Sequence, residues 1–156
     1  MKIAETRWVN VVWCDDIRQE IGNKPSLMGV YNGGLDVPGL PATLPRLAAW
    51  INVYTPTSQP FKRLTLRIRR SDADEPIASI EIGDMSSLHP PSANRLADPA
   101  AEDSDKPTAT IMSFVVMLGA FQLNEDTHWL KVFVETEDEM LESFKLPIKK
   151  APAGAF

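Results

Sequence analysis

Apolar side chains at every second position, broken every few residues by Gly, Pro, Asn or Asp, commit this chain to short β-strands. The clearest case is the run Arg63–Arg70 followed by Ile77–Gly83 across Ser71-Asp72-Ala73-Asp74-Glu75. Set antiparallel with Leu66 opposite Ile80, these runs place Leu64/Ile82, Leu66/Ile80 and Ile68/Ala78 on one face. A slip of one residue would turn all of these side chains to the other face, so the pairing selects its own register. Apolar residues spaced three and four apart, the mark of an amphipathic helix, are scarce everywhere.

The same pattern recurs along the chain. Arg7–Cys14 opens it, and Ile17–Ile21 with Ser26–Tyr31 reads as a hairpin across Gly22-Asn23. Asn32–Pro45 reads as a loop with a short edge strand at its centre. Leu47–Tyr54 and Thr108–Leu118 are long apolar strands, the second with Met112, Phe114, Val116 and Leu118 inward. Trp129–Glu135 turns Leu130, Val132 and Val134 inward, and a last strand turns in Phe144, Leu146 and Ile148. Alternation fails between Leu141 and Phe144, which marks a bulge. Residues 84–107 hold four prolines and the acidic tract Ala101-Glu102-Asp103-Ser104-Asp105, the composition of a long mobile polar loop. The expected fold is all-β: one antiparallel β-sandwich domain over residues 1–150, of about seven to nine strands, with a frayed tail at 151–156.

Composition removes several function classes. The net charge of −5 gives no general attraction to nucleic acid or anionic membrane. The single cysteine, Cys14, excludes an intrachain disulfide and a cysteine-built zinc site, and suits a reducing cytoplasm. Lys2, Glu5 and Arg7 interrupt any secretory apolar core, and no run reaches the roughly 18 residues of a membrane span. A soluble cytoplasmic protein is expected.

One segment has a specific look: Cys14-Asp15-Asp16-Ile17-Arg18-Gln19-Glu20, then Gly22, Lys24 and Leu27-Met28-Gly29-Val30-Tyr31. It resembles the opening of a family of short, β-rich bacterial and phage proteins labelled as a domain of unknown function. The resemblance covers about a fifth of the chain. It implies a β-fold and a bacterial or phage origin, and no catalytic residue. The residues themselves read as a structural corner. Asp15 and Asp16 accept backbone N–H groups, Gly22 and Asn23 adopt positive φ, and Arg18 pairs with either aspartate. The sharper alternative has Asp15, Asp16 and Glu20 gripping a hard cation, although the alternating Asp/Asn-Gly spacing of a calcium loop is absent.

Cys14 with His89 or His128 lacks any local nucleophile signature, and a thiol at the end of an apolar strand packs as a small hydrophobe. Asn32-Gly33-Gly34 lacks the helix that a phosphate cradle needs. The outstanding surface feature is cationic. Arg63, Thr65, Arg67 and Arg69 share the face opposite Leu64, Leu66 and Ile68, with Glu81 opposite Thr65. That stripe is either a solvated sheet face or a docking surface for an acidic protein or an anionic ligand. Trp50, Trp129 and Phe133 alternate out of phase with their neighbours' core residues, as either a second core or a contact patch.

These features lead to a non-enzymatic binding module without cofactors, with a protein partner or self-association. Nucleic acid and membrane are not expected partners. A small anionic, nucleotide-like ligand on Arg63, Arg67 and Arg69 is the alternative, and a metal-dependent hydrolase is a weaker one.

Overall fold

A computed structural model describes residues 6–85, 94–97 and 107–155. The described residues hold fourteen strands and no helix. Four strands build one sheet in the order β1 (Trp8–Cys14), β6 (Leu47–Pro56), β10 (Pro107–Leu118), β9 (Asn94–Ala97). A six-stranded sheet runs β4 (Leu35–Val37), β14 (Leu146–Lys150), β12 (Trp129–Glu135), β7 (Leu64–Arg70), β8 (Ala78–Ile82), with β13 (Met140–Glu142) also paired to β12. Two small ribbons complete the set: β2 (Asp16–Glu20) with β3 (Lys24–Met28), and β5 (Ala42–Leu44) with β11 (Phe121–Leu123).

A single apolar cluster takes Ile51, Val53 and Val116 from the four-stranded sheet and Leu66, Ile68, Val132 and Val134 from the six-stranded one. A core shared between two inner faces is the packing of a β-sandwich. The register of β7 and β8 is the one that the alternation selects, with Leu66 facing Ile80 and Thr65 facing Glu81. Met112, Phe114, Val116 and Leu118 all lie opposite inward residues of β6, from Val53 to Leu47. Gly22 (φ 84°) and Asn23 (φ 59°) make the turn of the β2–β3 hairpin in the left-handed region.

Four features depart from the expectations. Strands outnumber seven to nine because β4, β5, β11 and β13 are three residues each, too short to show alternation, and are formed by the neighbours they pair with. The pairing of β14 with β4 is parallel, so the sandwich is not wholly antiparallel. The polar connection contains a strand, since Asn94–Ala97 pairs with β10, while residues 86–93 and 98–106 of the expected mobile loop lie outside the described residues. Finally, the break before Phe144 separates two strands. Buried Ser143 takes the inward place, its hydroxyl accepting the Val132 N–H (3.0 Å), and Phe144 is turned out to 95% exposure.

Arg7 ties the start of β1 to the far sheet. Its guanidinium, 4% exposed, bonds the Glu137 carboxylate, Thr55 Oγ1 (3.2 Å), Thr136 Oγ1 (3.3 Å) and the Gln59 carbonyl (3.1 Å), and lies over the Phe61 ring. Burial opposes the charge on Glu137. The N–H groups of Glu137 itself and of Lys62, together with Arg7, outweigh it and hold the carboxyl at about 2. Removing one partner of such a pair strands the other charge, so Arg7→Ala should cost about 3 kcal/mol in denaturant unfolding. The depressed carboxyl contributes stability that is complete above pH 4.5 and is lost as pH falls toward 2. The acid slope of the unfolding midpoint in that window should shrink in Arg7→Ala.

Candidate functional site

The N-terminal corner is held by its own donors. Asp15 donates its N–H to the Met28 carbonyl (2.9 Å), and its carboxylate accepts the Tyr31 hydroxyl. Burial, and then the Asp15 carboxylate, push the Tyr31 hydroxyl above its ordinary range. Gly29 has φ +66°, and a Cβ there would overlap the Asp15 carboxylate, so only glycine lets the hairpin close on β1. Asp16 is bracketed by Arg46 (3.2 Å) and Arg18 (3.8 Å). The choice that sequence left between the aspartates thus falls on Asp16, and Arg46, thirty positions away, was missed because only the fold brings it near. Glu20 sits at the hairpin tip opposite Lys24, apart from both aspartates. Among the described residues no group of three or more His, Cys, Asp or Glu is placed to hold a metal ion.

The arginine stripe lies on the outer face of the six-stranded sheet, where β12 supplies its counter-charge. Glu135, opposite Thr65, reaches Arg67 at 2.7 Å and Arg63 at 3.8 Å. The Arg67 hydrogen bond first, and the charges of Arg67 and Arg63 next, hold the Glu135 carboxyl below its usual range. Arg69 reaches Asp74 (3.2 Å) and stacks over Phe133, which Lys131 flanks as Glu142's partner. Lys145 covers Trp129. This face is dense with charge, and most of that charge is paired within the chain.

The outer face of the four-stranded sheet is the opposite. β1 presents Trp8, Asn10, Val12 and Cys14, β6 presents Ala48, Trp50, Asn52 and Tyr54, and β10 presents Ile111, Ser113, Val115 and Met117. No charged residue occupies any of these positions, although 24% of the chain is charged. Trp8 and Tyr54, directly opposite, stack with centroids 3.6 Å apart. Asn52 is buried and accepts the Ser113 hydroxyl (2.6 Å). Val115 and Met117 are 42% and 44% exposed. Trp50 therefore belongs to this face, and Trp129 and Phe133 to the other; the three aromatics do not form one patch.

Residues 10–149 match a family of unknown function, DUF6941. The chain belongs to that family. No curated protein and no solved structure matches the chain. The matched span takes in the corner and, apart from Trp8 and Val9 of β1 and Lys150 of β14, all the described strands, so this DUF6941 domain covers nearly the whole sandwich rather than one motif within it.

Two of the clefts on its surface border these features. One of about 320 Å³ mixes Lys62 and Arg63 with Glu81, Asp84 and Glu137, a charge balance that does not select anions. The other, about 330 Å³, lies between the edge of β1 and the start of β14, lined by Val11, Trp13, Tyr31, Gly34, Phe144 and Pro147. Cys14 is buried, its thiol pushed up by burial. His128 is exposed, its N–H bonded to the Ser71 hydroxyl (2.7 Å), and His89 lies outside the described residues. No helix among the described residues is long and apolar enough to cross a membrane.

Two outcomes follow for the DUF6941 corner and stripe. Gly29→Ala should lose about 1–3 kcal/mol in denaturant unfolding, from left-handed strain and the clash with Asp15. Arg63→Gln with Arg67→Gln should shift stability by no more than about 1 kcal/mol, because both side chains are substantially solvated and exposed ion pairs are weak.

Proposed function

We propose that the protein is a non-enzymatic interaction module that contacts protein partners, further copies of itself included, through its four-stranded sheet. The observation that supports this reading is the charge-free outer face. An antiparallel sheet with one face in water alternates apolar with polar and charged residues, as the six-stranded sheet does here. Leaving exposed apolar side chains without a charge among them invites association, and depletion of charge at the centre of a patch with enrichment in aromatics and Met is the composition of a contact surface. A bacterial or phage cytoplasm is the setting that goes with this reading.

The second reading, a small anionic ligand on Arg63, Arg67 and Arg69, draws on Arg63, whose side chain is 61% exposed. A ligand there must compete with Glu135 for two guanidiniums, which weakens the case. The hydrolase reading would need carboxylates free for a metal, and Asp15 and Asp16 are engaged with Tyr31, Arg46 and Arg18.

The test compares two tagged baits in extracts of the native cell: the wild-type chain and Val115→Lys with Met117→Lys. Both positions are surface-exposed, so the variant should fold with its unfolding midpoint nearly unchanged. A stoichiometric protein held by the wild type and lost from the variant is the expected result. Identical sets of retained proteins would remove the reading.

A further inference from the structure

The four-stranded sheet ends on β1, and among the described residues no strand pairs with its outer side. The Tyr31 N–H bonds the Trp13 carbonyl at 2.9 Å. Tyr31 is not part of β6, so Trp13 turns its backbone groups away from β6. Backbone groups alternate in direction along an antiparallel strand, so Val11 and Val9 also turn their N–H and C=O groups to the open edge, while Trp8, Asn10 and Val12 bond to β6. The edge therefore offers Val9 and Val11, and Tyr31 closes it at Trp13.

Edges are usually guarded by charge, proline, a bulge or brevity. The other described edges follow this rule. β8 carries Glu81, and β4 is three residues long with Asp36 at its centre. β1 has none of these devices. It is seven residues, uncharged from Trp8 to Cys14, without proline, and paired with β6 in unbroken register. Phe144, 95% exposed, stands at the rim of the cleft beside it.

We infer that β1 pairs with β1 of a second copy, antiparallel, about a two-fold axis at Asn10. This rests on the interaction-module reading and names its partner. The axis sets Val9 of each copy against Val11 of the other, so all four open residues exchange hydrogen bonds. The pairing closes on itself and uses up both β1 edges, as an isologous contact does, so the joined sheet ends on the four-residue β9 of each copy. Two four-stranded sheets become one of eight strands, and the two charge-free faces become a single platform. A heterologous strand would bond the same groups, but only the two-fold uses the open edges of both chains at once.

Asn10 is exposed and would face its own copy across a non-hydrogen-bonded pair, where Cα atoms lie about 4.5 Å apart, within reach of a disulfide. In dilute solution with mild oxidant, Asn10→Cys should form a covalent dimer while the wild type, whose only thiol is buried Cys14, should not. Val11→Pro removes an N–H that points to the open edge and leaves the β6 ladder whole. It should stay folded by circular dichroism and dissociate about tenfold or more readily in sedimentation, since two symmetry-related bonds are lost. A wild type that sediments as a monomer up to about 100 μM, well above the range of a stable dimer, overturns the inference. So does an Asn10→Cys chain that stays uncrosslinked while the wild type dimerises. In either case the bait comparison at Val115 and Met117 decides separately whether the interaction reading survives.

Discussion

Eight of the ten residues of β6 are buried, and they lie on both of its faces. Inward, Leu47, Ala49, Ile51 and Val53 are fully covered by the six-stranded sheet and the strands beside them. Apolar burial is worth about 25 cal/mol per Å², and β6 collects it along its whole length. Outward, no sheet of the described residues lies over β6. Its burial there comes from side chains of its own neighbours: the Trp8–Tyr54 stack, the Ser113–Asn52 hydrogen bond, and the β2–β3 hairpin folded over Ala48 with Ile17 and Leu27. Much of the outer face is thus uncharged for a structural reason, because a charge at Asn52 or Ala48 would be stranded out of water. That reason does not extend to Val115 and Met117, which water reaches and where a lysine would cost little. They are the part of the face that folding leaves unexplained and that the proposed interaction would explain.

The two outer faces share one geometry and differ in content. On the six-stranded sheet, cross-strand register brings Glu135 between two arginines and Glu142 to Lys131, so the stripe that looks unbalanced along one strand is balanced across three. Only the neighbours in space settle how cationic a strand is, and β12 is sixty residues away from β7. Paired and partly exposed, these side chains keep the face soluble at little cost in stability. Paired charge on one side and the absence of charge at the outward positions of β1, β6 and β10 on the other give the sandwich two unlike faces.

Where alternation is long, the fold was legible. The β7–β8 register, the inward sets of β10 and β12, and the positive φ at Gly22 and Asn23 all follow from spacing and turn chemistry alone. Three kinds of feature were not legible. Strands of three or four residues, such as β9 and β13, carry no period and exist through their partners. Phe144 has the right spacing from Leu146 to be core, yet Ser143 takes the inward position by capping Val132, a choice of one hydrogen bond over one apolar contact that composition does not announce. Pairs such as Asp16 with Arg46 and Arg7 with Glu137 join residues that only the closed sandwich brings together. Of the site, the motif residues were visible from the start, but their job was not. Asp15, Gly29 and Tyr31 act on one another, and that required the left-handed turn at Gly29 to be seen.

That job bears on the open edge. An edge strand that pairs with its own copy needs a stop as well as free groups, because an uncharged strand of seven residues can slip by two and keep its side chains on the same faces. Tyr31 supplies the stop: its N–H occupies the Trp13 carbonyl, and its hydroxyl is anchored on Asp15, which Gly29 admits. With Trp13 taken, a shift that would centre the axis on Val11 has no acceptor at its end, and the pairing about Asn10 is the one that satisfies both chains. The corner that carries the chain's most distinctive residues would thus set the register of the proposed contact, which is a reason for so specific a set of side chains in a protein whose described residues gather no metal site and whose acidic pair is engaged by Tyr31, Arg46 and Arg18.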